Sequence, residues 1–442
     1  MVNKNDVIYI HPIKKKPSQK NKYFYLTFTG LFFLIIGLVS GHPVETIEGL
    51  NNILTSPSNL MTDYLAIGGF GSAFINVGVL TLLSVLLCYH HKVYLNGLIF
   101  ASVLTVTGFS FFGKNLYNSL SIILGVYLYA RFVHKPFSQY IMVGLFASAL
   151  SPVVSYITFG MNLPLGLGIL FGNLTGILVG FLLPPLASHT LIFHRGFNLY
   201  NIGFTSGLIA MVVAGILRLF DFPIEVQSFV STGYHQELTL VIFLFFSLTT
   251  LFGLFINSWK LTGLHDIFQT SGKVTTDFMA ISSIGATLLN MGLVGLMLSI
   301  YVLLIGGEFN GPIIGAILSS VGFSAFGCHL KNSFPILIGI YLASYLATIH
   351  DASQTTMIVA AIFGTALAPI SGFYGSIFGI LAGFLHIVLV HNVSALHGGL
   401  SLYNSGFSTG FVASFLVPIL DSLTVGRKEK DGIGKRIIKK NH

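Results

Sequence analysis

TDYLAIGGFGSAFINVG at 62–78 and TDFMAISSIGATLLNMG at 276–292 are two versions of one segment. Asn76 falls on Asn290, an offset of 290 − 76 = 214. The same offset lays NGLIFASVLTVTGFSFFGKNLYNSLSIILGVYL (96–128) over NGPIIGAILSSVGFSAFGCHLKNSFPILIGIYL (310–342), and the apolar segment 24–40 over 238–254. Farther along, the offset falls to 397 − 194 = 203. There GNLTGILVGFL (172–182) meets GSIFGILAGFL (375–385), and HRGFNLYNIGFTSG (194–207) meets HGGLSLYNSGFSTG (397–410). Matches of this length at two fixed offsets mean internal duplication, a signal that decides an architecture before any local reading does.

The surrounding composition says what was duplicated. Of 442 residues, 53% are hydrophobic and 8% charged. A water-soluble domain carries about 25% charged residues, so this chain lacks the polar surface to face water and is read as an all-α integral membrane protein. Each copy contains about seven apolar segments: 23–40, 62–89, 96–113, 116–133, 139–158, 165–187 and 197–219, then 237–256, 276–305, 310–327, 331–348, 355–371, 373–391 and 399–420. A spanning helix needs about 20 residues. The shorter segments therefore predict broken or re-entrant helices. The expected organisation is a basic tail (1–22), a first transmembrane repeat (23–220), an acidic connector (221–236), a second repeat (237–421) and a second basic tail (422–442). Residues 23–40 could pass for a signal peptide, but their internal counterpart makes them part of the repeat.

Charge supplies the orientation. Basic residues cluster in the tails, with Lys4, Lys14, Lys15, Lys16, Lys20 and Lys22 at one end and Arg427, Lys428, Lys430, Lys435, Arg436, Lys439 and Lys440 at the other. Such flanks stay in the cytoplasm and attract anionic lipid. They predict a multi-pass protein of the cell membrane with both termini inside, in contact with membrane lipids and not nucleic acid. Equivalent loops reverse sign: the Lys-rich N-terminal tail corresponds to the connector with Asp221 and Glu225, and the loop with Lys92 corresponds to the one with Glu308. Lys114 and Arg218 run against this pattern near the outer face. An odd number of crossings per repeat gives this reversal, which is the inverted arrangement of many transporters. Cys88 and Cys328 have no CxxC or histidine-spaced partner, so neither a disulfide framework nor a zinc site is suggested.

Transporters place their sites on broken helices near the midplane, between the repeats. The recurring polar and glycine residues of the apolar segments are therefore the candidates. The first set is G-x-x-L-Y-N-x-G-F, with Tyr200, Asn201 and Phe204 in one copy and Tyr403, Asn404 and Phe407 in the other. Its amides can donate to and accept from a neutral polar solute, and its rings can stack on a flat one. The alternative is an interfacial aromatic beside a helix cap. The second set is G-F-S-x-F-G followed by N-S, with Phe109 and Ser110, and Phe323 and Ser324. It reads either as a constriction or as a hairpin packed through small residues. Asn76 and Asn290 lie deep enough to touch a solute or to glue helices. Asp63 and Asp277 read as N-caps, or as the ion-coupling groups of a secondary carrier. His194 and His397 are expected at a water interface, with a proton relay as the alternative. No HExxH, GxSxG or P-loop pattern is present. The chain is accordingly not read as an enzyme, and no catalytic residue, metal or cofactor is expected.

Residues 357–411 resemble the urea transporter family. The resemblance rests on Ala368-Pro369, on Gly375-Ser376 with Gly379 and Gly383, on HGGLSLYNSGFSTG, and on GFSAFGCHLKNSFPILIGIYL at 322–342. It implies inverted halves, passive passage of a urea-like solute, a homo-oligomer, and a place for Asn201 and Asn404 in the family's Asn turn. The family's Asn-Asn-Pro signature is absent, since Val and Met follow Asn76 and Asn290, and the hairpin order is circularly shifted. The whole chain also resembles an uncharacterised bacterial family of membrane proteins, which implies no function. The combined reading is a transporter or channel for a small polar solute. The alternatives are an ion-coupled carrier and a membrane scaffold or subunit without a pathway.

The inversion is testable. Cysteines introduced by Lys92→Cys and Glu308→Cys should react with an impermeant maleimide from opposite faces of the membrane. Labelling of both from one face would remove the inverted arrangement.

Overall fold

A computed structural model describes residues 19–222, 224, 228–346 and 351–438, with side chains as far as residue 423 except that of residue 228. Lys4, Lys14, Lys15 and Lys16, Glu225 and the basic side chains after Val425 lie outside the described set. The first copy comprises α1 (Gln19–Ser40), α2 (Pro43–Thr55), α3 (Tyr64–His90), α4 (Gly97–Phe109), α5 (Leu116–Phe132), α6 (Ile141–Ala147), α7 (Ser151–Ser155), α8 (Leu165–His194) and α9 (Asn201–Leu219). The second comprises α10 (His235–Ile256), α11 (Leu264–Phe268), α12 (Phe278–Ile281), α13 (Ile284–Leu304), α14 (Gly311–Phe323), α15 (Leu330–Leu346), α16 (Thr355–Gly364), α17 (Ala368–Tyr374), α18 (Ser376–His397) and α19 (Asn404–Ile438). Two residues of β1 (Met61–Thr62) pair in parallel with β2 (Ser228–Phe229) of the connector. Among the described residues, ten helices are long and apolar enough to cross a membrane, counting each broken pair α6–α7 and α16–α17 once.

Matching breaks occur in both copies. Gly69 adopts φ 77° and ψ 173° and interrupts α3 after its first turn. Ser283, at the equivalent position, separates α12 from α13 with an extended backbone and caps α13 by accepting from Ala286 N. The short helices α4 and α14 have 13 residues each. At 1.5 Å per residue each spans about 20 Å, short of the ~30 Å hydrocarbon layer. Both are buried along their length, apart from the half-buried Leu98 of α4. Their polar ends are met by side chains. Asn76 donates to Ser110 O and Lys114 O at 2.7 and 3.0 Å, and Asn290 donates to Ser324 O and Cys328 O at 2.8 and 2.9 Å.

The copies meet along α4 and α14, where small residues let backbones touch. A Cβ on Gly108 would lie 2.1 Å from Gly315 O, and one on Gly315 would lie 2.3 Å from Gly108 O. A Cβ on Gly322 would lie 2.9 Å from Ala101 Cα, and one on Gly97 would lie 2.6 Å from Ala325 O. Numbers rise on one helix as they fall on the other, so the pair is antiparallel. The counterparts α1 and α10 are antiparallel too: Phe24 meets Phe252, Tyr25 hydroxyl meets Thr249 Oγ1, and Phe32 and Phe33 meet Phe245.

Two placements differ from the sequence expectation. Lys114, placed near the outer face by the charge pattern, is not solvated there: it is 1% exposed, in the turn between α4 and α5, with its ammonium donating to Ser148 Oγ. Lys22 is inside α1, and its ammonium donates to Leu95 O at 2.7 Å. Arg218 is used locally, donating to Ala395 O and Leu396 O at the end of α18, where a cation meets the negative end of the helix dipole.

Gly108→Val forces a methyl into a carbonyl that cannot step aside. It should destabilise the protein by about 3 kcal/mol, the upper part of the overpacking range, as read by denaturant unfolding in detergent. Gly215→Ala meets nothing within 4 Å and should be neutral. Equal behaviour of the two variants would contradict the crossing.

Candidate functional site

The two Leu-Tyr-Asn turns are held by each other's copy. Leu199 N donates to Ala366 O, and Leu402 N donates to Ala149 O, each at 3.0 Å. Both carbonyls sit in 3-10 turns, 148–150 and 365–367, which break the helices α6–α7 and α16–α17. These turns bring Tyr200 and Tyr403 together, with ring centroids 5.3 Å apart. Gly203 and Gly406 permit the approach: the Cβ of either would lie about 3 Å from the opposing tyrosine. The tyrosine hydroxyls stay within the protein. That of Tyr200 is 2.9 Å from Ser320 Oγ, and that of Tyr403 donates to Thr105 Oγ1 at 3.0 Å.

Four phenylalanines complete a six-ring cluster in which three contacts are made twice, with the copies exchanged; Phe363 in addition lies 6.4 Å from Tyr403. Phe323 lies 4.3 Å from Tyr200, and Phe109 lies 4.8 Å from Tyr403. Phe146 lies 5.6 Å from Phe323 and 6.4 Å from Tyr403. Phe363 lies 5.9 Å from Phe109 and 5.8 Å from Tyr200. Sequence reasoning named Tyr200, Tyr403, Phe109 and Phe323 but missed Phe146 and Phe363. The signal was a third offset, 363 − 146 = 217, over FASAL (146–150) and FGTAL (363–367).

Two cavities adjoin this cluster. One, of about 240 Å³, is lined by Tyr200, Tyr403, Phe146 and Phe323 and includes Asn201. The other, of about 100 Å³, is lined by Phe363 and Leu402 and includes Asn404. They are counterparts: Met142, Phe146, Leu191, Leu199, Asn201, Ile202 and Val274 of the first correspond to Val359, Phe363, Ser394, Leu402, Asn404, Ser405 and Leu60 of the second. Asn201 and Asn404 thus line separate cavities rather than one shared space, because the rings stand between them. Their oxygens are occupied alike. Asn201 Oδ1 accepts from His194 Nε2 and Asn404 Oδ1 accepts from His397 Nε2, both at 2.9 Å. Asn201 also accepts from Thr190 Oγ1 at 3.1 Å and donates to Ala187 O at 2.9 Å.

Those histidines correct an expectation. Both are fully buried, not at a water interface. Nδ1 of His194 accepts from Asn198 N, and Nδ1 of His397 accepts from Gly399 N. An accepting Nδ1 and a donating Nε2 define a neutral imidazole that ties the end of α8 or α18 to the start of the next helix.

The remaining sequence candidates take packing positions. Both amide hydrogens of Asn76 and of Asn290 are used on turn carbonyls. Neither residue lines the two cavities. Ser110 Oγ donates to Val106 O at 2.6 Å, and Ser324 lies buried in the equivalent turn. Phe204 and Phe407 pack on Gly410 and Gly207 where α9 crosses α19. Asp63 and Asp277 are N-caps, accepting from Leu65 N at 2.9 Å and Met279 N at 3.1 Å. Each also reaches the other copy's short helix: Asp63 accepts from Gly311 N at 3.2 Å, and Asp277 from Gly97 N at 3.3 Å. Asp63 accepts in addition from Ser231 N and Ser231 Oγ, at 3.0 and 2.6 Å.

Asp63→Asn replaces an acceptor of four donors and should cost about 1–3 kcal/mol. Asp277→Asn should cost about 0.5–2 kcal/mol, the range of a lost cap. Thermal unfolding of both variants checks the order. Loss of transport with unchanged melting would instead assign the carboxylates to ion coupling.

Comparison with known proteins gives a family. The model of DUF1576, described as a protein of unknown function, matches residues 42–219 and again 256–422. The chain therefore belongs to that family and carries its unit twice. The match boundaries repeat the two internal offsets, 256 − 42 = 214 and 422 − 219 = 203. No curated protein and no solved structure matches the chain, so the urea-transporter resemblance rests on the motifs quoted for it.

Proposed function

We propose that this member of the family is a membrane transporter or channel for a small polar solute, urea-like in being neutral and compact, and not an enzyme. The two copies act as inverted-topology repeats, and the pathway runs between them. The observation that carries the reading is the pair of equivalent cavities separated by the six-ring cluster. A scaffold needs no matched cavities at its internal interface, whereas alternating access places one on each side of a central barrier. The antiparallel pairing of α1 with α10 and of α4 with α14 supports inversion. Both termini are then cytoplasmic, in the cell membrane.

In this reading the rings form the barrier and the Leu-Tyr-Asn turns carry it. A solute entering either cavity meets an asparagine held by a buried histidine, then aromatic faces, then the equivalent asparagine. The histidine occupies the amide oxygen, so the pathway offers hydrogen-bond donors and ring faces more than open acceptors. Carboxylates stand outside both cavities, which favours a passive pathway over an ion-coupled one. The family resemblance adds a homo-oligomer as the expected assembly.

Uptake into proteoliposomes tests this. The double variant Tyr200→Ala, Tyr403→Ala should raise the permeability to urea or glycerol above wild type, because the barrier is opened. Asn201→Leu should lower the flux and cost about 1–3 kcal/mol of stability, because the buried His194 Nε2–H loses its acceptor. Liposomes no more permeable than protein-free controls, for wild type and for the double variant alike, would favour the scaffold.

A further inference from the structure

Lys114 has no role in the pathway just described, and the fold does not require it. The second copy builds the same turn with Cys328 at the equivalent position. There Asn290 donates to Cys328 O as Asn76 donates to Lys114 O, and Cys328 Sγ donates to Thr365 O where the Lys114 ammonium donates to Ser148 Oγ. A small neutral side chain therefore suffices. Lys114 is 1% exposed. Among the described residues no carboxylate meets Lys114. A buried cation without a counter-charge is costly, so its presence calls for a reason outside the fold.

The surroundings supply one. Lys114 lies at the inner wall of a groove between α3 and α5, about 490 Å³ in volume, within the range of small-molecule sites. Its other walls are almost wholly aliphatic, and Ser84, Ser119 and His90 are the remaining polar members. The rims are formed by Leu83, Leu86 and Leu120, which are 42%, 59% and 57% exposed. The groove therefore opens sideways, toward lipid. Along α3 it runs from Leu80 to His90, about 15 Å at 1.5 Å per residue. If a methylene fills about the 30 Å³ share of a water, the volume holds one chain of about sixteen carbons and not two.

We propose that this groove binds a single-chain anionic amphiphile from the bilayer, a long-chain fatty acid, with its carboxylate on Lys114 and its chain along α3. Charge complementarity selects the head and the aliphatic walls select the tail. A larger groove between α8 and α9, about 550 Å³, has only Thr175, Thr190 and Thr205 as polar lining. It lacks a cation and selects no head group, so it serves as the internal comparison.

The test uses the full chain in zwitterionic nanodiscs. Palmitate should raise the melting temperature, while hexadecanol and acetate should not. Lys114→Met should weaken the apparent palmitate affinity by about tenfold or more, the loss of a charge-assisted contact. Leu120→Trp, which fills the groove from its rim and keeps the lysine, should also abolish the shift. A diazirine-bearing palmitate should crosslink to α3 and α5 in wild type. The proposal is overturned if hexadecanol matches palmitate, if acetate alone gives the shift, if Lys114→Met responds as wild type does, or if crosslinks fall on α8 and α9. Should Lys114→Met fail to fold, Leu120→Trp and the ligand comparison decide the matter alone.

Discussion

A helix that stops halfway through a bilayer leaves carbonyls and amides with no water to meet them, and the architecture depends on how this chain answers that constraint. Asn76 and Asn290 hold the carbonyls that follow α4 and α14. Asn118 and Asn332 reach back to Gly113 O and Gly327 O in the same turns. At the other ends, Asn96 and Asn310 cap their own helices by accepting from Ile99 N and Ile313 N. Asp63 and Asp277 accept the first amides of the opposite copy's helix. Without this set, the two short helices could not be buried. Their crossing at Gly108 and Gly315 would then have nothing to hold it in place.

That crossing in turn sets the interface at which function is proposed. Each copy's Leu-Tyr-Asn turn is bonded to the other's broken helix, so neither half of the ring cluster can be built by one copy alone. Helix breaks are costly in lipid unless protein surrounds them. Here the 3-10 turns 148–150 and 365–367 are fully buried, and each lends a carbonyl to the other copy's turn. The same backbone irregularity thus satisfies the bilayer and positions the tyrosines.

Much of this was legible in the sequence, for a physical reason. Duplication is written in residue identity, and the fourteen apolar segments followed from composition and length. The N-cap role of Asp63 and Asp277 was readable because each carboxylate stands just before a long apolar run. What could not be read was partnership across the interface. The Asp63–Gly311 and Leu402–Ala149 contacts join residues about 250 apart, and periodicity carries no information at that range. Asn201 and Asn404 occupy equivalent places, as the repeat implied, yet symmetry alone did not say that rings would separate them. The burial of His194 and His397 was hidden for a related reason. Each follows a long apolar helix, where a turn to water is the ordinary outcome, but here the turn folds back against the other copy.

The differences between the copies now carry more meaning than their agreements. Residues that satisfy backbone groups, such as Asn76 with Asn290 and His194 with His397, are the same in both, because both copies face the same bilayer. Several residues that line space differ. Leu191 of one cavity corresponds to Ser394 of the other, and Ile202 to Ser405. His391, which lines the smaller cavity, corresponds to Ser188. The smaller cavity is therefore the more polar and the larger one the more apolar. On the proposed inverted reading such counterparts lie on opposite faces of the barrier, and their divergence would give the two ends of the proposed pathway different affinities for the same solute.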